Sequence, residues 1–366
     1  MENKNTRGHT MKVTFLIGNG FDLNLGLRTL YKHFIVEYKE LNGQESEIIS
    51  EFKKYIKENL DSWANAEKEF GEYTFRYSGE QGREDFLTCH EDFCKELASY
   101  LKREEAKLNY ESIAKILGKN FATSLKDLTI GFREEPQLKI KESIGKISGG
   151  FTYQFISFNY TETLDRCIKA AREISQSLGV RRFSNSNYEN SFGTLLHVHG
   201  YTDKDMALGV NDETQIKNMK LFENADEEDI APIIKRLTNK LNEQRMDEKA
   251  TDLLNSSDLI YIYGMSIGET DRIWWKRICE KMLNEPNLRV IIHQHDAPNE
   301  TLILRHFKKY ERTIRDLFVD GSDVDSSKAD ALKERIHITR TNLFSNLNGI
   351  VNSELNTTKV QQVVPA

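Results

Sequence analysis

Several features that would place the chain in a special class of proteins are missing from its sequence. It has four cysteines in 366 residues, and no two of them form a Cys-x-x-Cys pair. That excludes the spacing of a zinc ribbon and predicts ordinary reduced thiols. No apolar run approaches the roughly 20 residues of a membrane-spanning helix. The polar start, Met1 to His9, lacks the apolar core of a signal peptide. We therefore expect a cytoplasmic protein with no membrane partner.

An excess of basic residues is also missing. Lys and Arg number 51 against 57 Asp and Glu, which gives a formal net charge of -6. Dedicated nucleic-acid binders usually carry a basic excess, because phosphate contacts dominate their affinity. The charge balance therefore gives no strong nucleic-acid signal. With 38% hydrophobic and 10% aromatic residues, the composition is that of a folded protein.

Short apolar segments separated by helical segments predict the fold class. The order strand, helix, strand, helix is typical of an α/β protein with a Rossmann-like, doubly wound parallel sheet. Strands are predicted at Met11 to Ile17, Phe151 to Phe158, Thr194 to His199, Asp258 to Tyr263 and Leu288 to His293. Helices are predicted between and beside them, among them Glu47 to Leu60, Glu84 to Glu105, Tyr110 to Leu117, Thr161 to Leu178 and Thr270 to Leu283.

The same pattern predicts the organisation of the chain. Residues 11–31 and 151–350 are expected to form the nucleotide-binding core. Charged segments with a helical period fill 32–150, read as a helical insertion, and 205–255, read as a second insertion within the core. We expect a mobile loop at Asp320 to Lys328, and residues 354–366 are expected to form a flexible tail.

Polar residues follow four of the predicted strands, where each strand ends. In open α/β sheets, ligands bind at the carboxyl ends of the strands. The four loops are therefore expected to form one site. They comprise Gly18 to Asp22, Asn159 to Thr161, His197 to Gly200, and Gly264 to Ser266 with Asp271 shortly after.

The turn Gly18-Asn19-Gly20 has the chemistry of a phosphate-binding loop. Glycine allows a sharp turn and a close approach to a pyrophosphate, and the following helix points its amide donors at the anion. Gly26 comes six residues after Gly20, so the Gly-x-Gly-x-x-Gly fingerprint is not present. The alternative is a tight strand-to-helix turn that binds no ligand.

Three polar residues are candidates for the chemistry. Asn159 can orient a water or a ribose hydroxyl; alternatively it caps the helix that begins at Thr161. His197 and His199 are two residues apart, so on a strand they share one face, and either can act as a general base. The alternatives are a structural role for one of them or a metal pair. No Asp, Glu or Cys stands at obvious ligand spacing, so no metal is expected.

The combination of motifs resembles the AbiH family of bacterial abortive-infection proteins. The resemblance covers most of the chain, from residue 12 to about 275. It includes Trp63 to Glu67. Trp63 and Glu67 are one helical turn apart, and this spacing by itself favours an amphipathic face that packs against other helices. The other motifs are Gly-Asn-Gly-Phe-Asp-Leu-Asn-Leu-Gly-Leu (18–27), Ser-Phe-Asn-Tyr-Thr-Glu-Thr-Leu (157–164), His-Val-His-Gly (197–200) and Tyr-Gly-Met-Ser with Asp271.

The same strings are similar, more distantly, to sirtuin-like NAD-consuming enzymes. This resemblance implies that Asn159 and His199 are catalytic, with His197 as neighbour or substitute. Arg28 and Tyr31 replace the Pro and Arg of that family, and its zinc-binding cysteine pairs are absent, which disfavours deacetylation and favours NAD hydrolysis. The residues implied in NAD binding are Gly18, Asn19, Gly20, Phe21, Asp22, Gly26, Tyr160, Gly264, Ser266 and Asp271.

The resemblance implies an antiphage effector that cleaves the nicotinamide glycosidic bond of NAD and depletes it in infected cells. NAD is then a substrate, and a phage-derived trigger and a homo-oligomer are the expected partners. Two alternatives remain open: a hydrolase of another nucleotide or of nucleic acid, and a non-catalytic sensor of a nucleotide or phage protein.

Overall fold

The computed structural model describes residues 10–40, 43–174, 178–183, 185–296, 304–322 and 324–350. Its strands are β1 (Met11–Ile17), β2 (Phe151–Ser157), β3 (Val180–Phe183), β4 (Ser186–Glu189), β5 (Ser191–His197), β6 (Leu259–Tyr263), β7 (Arg289–His293) and β8 (Ile336–Thr339). Its helices are α1 (Gly20–Leu25), α2 (Tyr31–Tyr38), α3 (Glu47–Glu58), α4 (Leu60–Trp63), α5 (Ala66–Tyr73), α6 (Gly79–Glu105), α7 (Tyr110–Ser124), α8 (Glu134–Gly145), α9 (Thr163–Ile174), α10 (Glu227–Ile230), α11 (Lys235–Leu241), α12 (Met246–Asn255), α13 (Arg272–Asn284), α14 (Leu304–Asp320) and α15 (Ser326–Lys333).

Six parallel strands form the central sheet, in the order β5-β2-β1-β6-β7-β8. The first strand of the chain thus lies in the middle, and the direction of winding reverses between β1 and β6. In open α/β sheets the loops at such a reversal border a crevice that binds ligands. The predicted mixed α/β class and the parallel sheet are confirmed.

Both faces of the sheet are buried, which explains the nearly continuous apolar sequence of β1. Phe15 and Ile17 belong to one core, shared with α7 and α9. Leu16 points the other way and belongs to a second core, formed with α12 to α15. Helices α7 and α12, which lie in the two segments read as insertions, thus cover the sheet directly.

A third core lies among the helices that follow β1. Phe52, Trp63, Phe70 and Phe93 pack there ring against ring, with centroids 5.0–6.4 Å apart. Leu208, from the second helical segment, is buried in the same core. Because the two helical segments share a core, they are held in a fixed position at one edge of the sheet.

Several elements differ from the sequence prediction. The loop predicted at Asp320 to Lys328 is shorter, because α14 extends to Asp320 and α15 begins at Ser326. The edge strand β8 and the β3–β4 hairpin were not predicted, since four-residue strands are too short to show a period. The predicted tail at 354–366 lies outside the described residues.

Among the described helices, none combines the length and apolar composition that a membrane crossing requires.

Candidate functional site

The register of the sheet brings the four predicted loops to one level. Ile17 pairs with Ser157 on one side and with Tyr263 on the other, and Ser157 in turn pairs with His197. Each of these residues is the last of its strand. The polar segments that follow them therefore begin side by side at the carboxyl edge of the sheet.

The glycines of the first and fourth loops pack directly on each other. The Gly18 amide donates to the Tyr263 carbonyl and the Gly20 amide to the Gly264 carbonyl, both at 2.9 Å. A Cβ atom on Gly20 would lie 2.4 Å from the Gly264 Cα. These two amides are engaged within the protein, and α1 is only six residues long. The turn was predicted to bind a phosphate. In the structure its glycines instead allow the backbones of the two loops to pack against each other.

Asp22 joins the first loop to the second. Its Oδ2 accepts a hydrogen bond from the Thr161 hydroxyl at 2.7 Å, and its Oδ1 accepts one from the Thr163 hydroxyl. The carboxyl group is buried, and burial raises its pKa from 3.8 to about 6. Asp22 therefore fixes the start of α9 against α1.

A cavity of about 280 Å³ opens where these loops meet the helices that follow β1. This volume is at the small end of the range for small-molecule sites, about 300–1,000 Å³. Nine residues predicted for the site lie in its wall: Gly18, Asn19, Asp22, Asn159, Tyr160, His199, Gly264, Ser266 and Asp271.

Four other predicted residues do not line this cavity. Gly20 forms the contact with Gly264. Phe21 is buried in the core, edge-on to Phe344 at 5.2 Å. Gly26 ends α1 with φ +98°, a conformation that favours glycine. His197 is the fourth and is engaged elsewhere.

Both ring nitrogens of His197 face acceptors behind the cavity. Its Nδ1 lies 3.0 Å from the Asn159 carbonyl and its Nε2 lies 2.9 Å from Asp165 Oδ2. The ring also stacks on Tyr201 at 4.1 Å, and Tyr201 donates to the other Asp165 oxygen. Because β5 ends at His197, the two-residue period does not reach His199. The arrangement holds the backbone of Asn159 in place.

Asn159 presents an unsatisfied acceptor in this wall. Its Nδ2 donates to the Gly18 carbonyl at 3.2 Å. Its Oδ1 is buried and has no hydrogen-bond partner among the described residues. A buried polar atom without a partner costs about 1–3 kcal/mol, and such a cost is repaid when a ligand supplies the missing donor.

His199 presents a second unsatisfied atom. The ring is buried, packed edge-on to Phe158 at 5.4 Å and against Tyr160 at 6.2 Å. Its Nδ1 has no partner within the described ranges. Burial and the nearby Lys235 ammonium hold the pKa of His199 well below its usual 6.5. The imidazole is therefore neutral at pH 7 and keeps one nitrogen able to accept a proton.

Residues beyond those assigned from the sequence complete the wall. Glu67 was read as part of a packing face, yet it lines the cavity. Its Oε1 accepts from the Tyr31 hydroxyl at 3.0 Å and its Oε2 from the buried Lys235 ammonium at 2.7 Å. Tyr31 and Tyr160 meet at 3.4 Å between their hydroxyl oxygens. No feature of the sequence pairs Glu67 with Lys235, which are 168 residues apart, so this contact could not be predicted.

The cavity is acidic. Asp22, Glu67 and Asp271 supply carboxyl groups, and no Lys or Arg is among the described residues that line it. Lys235 lies behind Glu67 and is only 4% exposed. The pKa of Asp271 is raised from 3.8 to about 7, because burial outweighs the lowering effect of Lys235 and the Glu67 charge adds a smaller increase. The site therefore suits a neutral or cationic ligand better than a phosphate.

Residues 14–294 of the chain match the protein family described as "Bacteriophage abortive infection AbiH". The match spans β1 to β7 and all the loops described above. The chain belongs to the AbiH family. No curated protein and no solved structure matches the chain.

Membership of the AbiH family implies a role in bacteriophage abortive infection. The matched region contains the complete cavity, from Gly18 to Asp271. No cluster of three or more His, Cys, Asp or Glu side chains that could hold a metal ion occurs in the described part of this AbiH protein.

Replacing Asp271 with Asn is expected to stabilise this AbiH protein in mildly alkaline solution. The folded-state pKa of Asp271 is raised to about 7 and that of Asp22 to about 6. Stability from a raised carboxyl pKa is present below about pH 4 and is lost as the pH rises through the folded-state value. Asn keeps a polar side chain of the same size at the residue before α13, where Asp271 makes no side-chain capping hydrogen bond.

Urea unfolding near pH 4, 6 and 8 measures this effect. Near pH 8 the D271N variant should exceed the unfolding free energy of the unsubstituted protein by about 1–2 kcal/mol, allowing for partial exposure. Near pH 4 the two should agree. The exposed Asp252 on α12 is the matched control, and D252N should leave the pH dependence unchanged. Parallel pH curves for D271N and the unsubstituted protein would contradict the assignment.

Proposed function

We propose that the protein binds NAD with its nicotinamide riboside end in the acidic cavity and hydrolyses the glycosidic bond between nicotinamide and ribose. The observation that carries the proposal is the pair of buried, unpartnered atoms, Asn159 Oδ1 and His199 Nδ1, in the wall of one cavity at the winding reversal of the sheet. Buried unpartnered polar atoms in a concave site are a mark of ligand binding.

The charge of the cavity supports this orientation of NAD. Oxidised nicotinamide attached to ribose is a cation, and departure of nicotinamide builds positive charge on the ribose, as in other glycoside cleavages. Above their raised pKa values of about 6 and about 7, the carboxylates of Asp22 and Asp271 complement both charges, and Glu67, which is paired with Lys235, completes the acidic wall. The diphosphate finds no basic side chain among the described lining residues, so it extends out of the cavity.

Asn159 and His199 have complementary tasks. Asn159 Oδ1 accepts a hydrogen bond from a ribose hydroxyl and so fixes the sugar for attack. The neutral His199 accepts a proton through Nδ1 from the attacking water or from a ribose hydroxyl. The Tyr160 hydroxyl donates to the Ala207 carbonyl at 3.2 Å, and this bond positions the Tyr160 ring against His199.

The reaction balances without a redox partner. The bond between ribose C1′ and the nicotinamide nitrogen breaks, and its electron pair neutralises the pyridinium ring. A bond forms between C1′ and the oxygen of water, whose proton passes to His199 and on to solvent. The products are nicotinamide and ADP-ribose; a ribose hydroxyl in place of water gives a cyclised product. Loss of NAD would halt an infected cell, which agrees with a role in abortive infection.

Nicotinamide release from NAD by the purified protein, with and without phage lysate, tests the proposal. We expect release by the unsubstituted protein, and about 100-fold less by a H199F variant, which keeps the ring packing on Phe158 but removes both nitrogens. NADH, whose dihydronicotinamide carries no positive charge, should be a poor substrate. Equal release by H199F would refute the role of His199.

Two other outcomes separate the alternatives. Cleavage of ATP, cyclic nucleotides or RNA with NAD left intact would show a hydrolase of another substrate. No cleavage under any condition, with a nucleotide recovered from the folded protein, would show a non-catalytic sensor.

A further inference from the structure

A second cavity lies beside β8, the outermost strand on one side of the sheet. It has a volume of about 310 Å³ and is bounded by the start of α8, by α14 and by the edge strand β8. It shares no lining residue with the cavity described above. We call it the edge cavity. Nothing in the proposed reaction uses it.

His337 on β8 is the first sign that the edge cavity takes a ligand. The side chain lines the cavity and is 5% exposed. Its Nε2 is buried without a hydrogen-bond partner in the described part of the chain. Burial and three cations, Arg289, Arg315 and Lys139, lower the pKa of His337 to about 3. The ring is therefore neutral, and it lies in a positive electrostatic field.

Arg315 on α14 provides a second donor. Its Nε donates to the Ile336 carbonyl at 2.8 Å and its Nη2 to Glu311 Oε1 at 3.1 Å. Both bonds hold the guanidinium in place beside β8. The remaining nitrogen, Nη1, makes no hydrogen bond to the described residues and is left for another acceptor.

The charges of the lining favour an anion at the inner end. Four cationic side chains line the edge cavity, against three carboxylates. Glu311 is shared between Arg315 and the Lys308 ammonium, at 3.1 and 2.7 Å. Glu135 is 79% exposed and pairs with Lys139 at 2.8 Å, and Glu334 lies at the surface. The carboxylates at the rim are solvated, and so are Lys139 and Lys308, which are 53% and 55% exposed, so these charges act weakly on the inner end. The inner end has Arg315 and the nearby Arg289 against the one carboxylate of Glu311.

We propose that the edge cavity binds the phosphate group of a small phosphorylated molecule. One phosphate oxygen accepts the His337 Nε2 proton and another accepts from Arg315 Nη1, with Lys139 at the entrance. Phosphate accepts several charge-assisted hydrogen bonds at once, and arginine suits its geometry. The cavity is many times the roughly 30 Å³ of one water, and half-buried Phe132 offers an apolar wall to an attached organic group.

Calorimetric titration with inorganic phosphate and with AMP tests the proposal on the full chain. We expect saturable binding of both, with a dissociation constant near or below about 1 mM for phosphate, and tighter binding of AMP if the organic group is held. The K139Q and H337F variants should each weaken binding at least about fivefold. K115Q removes the same charge from the exposed face of α7, which lines neither cavity, and should leave binding unchanged.

The imidazole resonances of labelled histidine report on the same event. Phosphate should shift the His337 signal, identified by its loss in H337F, and leave the His199 signal in place. Absence of saturable binding up to about 10 mM phosphate or AMP, or equal weakening by K115Q and K139Q, would overturn the proposal. Because none of these readouts needs catalysis, they are independent of NAD hydrolysis.

Discussion

The N159A variant is expected to release nicotinamide from NAD at least about 100-fold more slowly than the unsubstituted protein. The substitution removes Oδ1, the buried acceptor without a partner among the described residues, from a residue of the cavity wall. It also removes the Nδ2 donor that ties this loop to the Gly18 carbonyl. The ribose would then lose its positioning contact, and misplacement of about 1 Å costs on the order of 100-fold in rate.

Asn24 supplies the matched control. It is another buried amide that donates to a backbone carbonyl, that of Phe344 at 2.9 Å. Its Oδ1 is already satisfied by Asn342 at 2.7 Å, and it does not line the cavity. N24A should lose a comparable amount of unfolding free energy, about 1–3 kcal/mol, while nicotinamide release stays within a few-fold. A similar loss of release in both variants would show that folding, and not chemistry, is affected.

The G264A variant is expected to lose about 3 kcal/mol or more of unfolding free energy. Gly264 has φ +70°, where a Cβ atom is strained. That Cβ would also lie 2.7 Å from the Gly20 Cα and 2.8 Å from the Phe21 nitrogen. These atoms are backbone, so relief would require the two loops to separate and the cavity to open.

Denaturant unfolding with two companion variants tests this prediction. G20A should destabilise through the same contact, and the double variant should cost clearly less than the sum of the two. G145A is the neutral control, because a Cβ on Gly145 at the end of α8 meets no atom within 4 Å. It should be neutral or stabilising by up to about 1 kcal/mol. Normal stability of G264A would show that the loops are free to move apart.

Much of the sheet could be predicted because strand signals are local. The apolar runs at β1, β2, β6 and β7 lie within one or two residues of their predicted bounds. Since parallel strands end at the same edge, the loops after them could be assigned to one site. Asn159 and Gly264 lie in that site because Gly264 directly follows β6 and Asn159 comes two residues after the end of β2.

The remainder of the site depends on contacts between distant parts of the chain. Glu67 and Lys235 are 168 residues apart, and no local period relates a helix of the first segment to a helix of the second. Phe21 was expected to contact NAD but packs in the core. Its spacing of four from Leu25, also buried, marks one face of a helix. This helical spacing indicates that Phe21 packs in the core. The prediction gave more weight to the polar loop residues on either side of it, Gly20 and Asp22.

The ion pair between Glu67 and Lys235 also has a consequence during protein synthesis. The cavity wall begins at Gly18 and is completed only by Asp271, so a growing chain cannot contain the whole site until most of it has left the ribosome. Until then, Glu67 lacks its lysine partner, and the loop at Gly264 is absent from the contact with Gly20. A truncated or stalled product that ends before Lys235 would therefore lack a complete cavity wall.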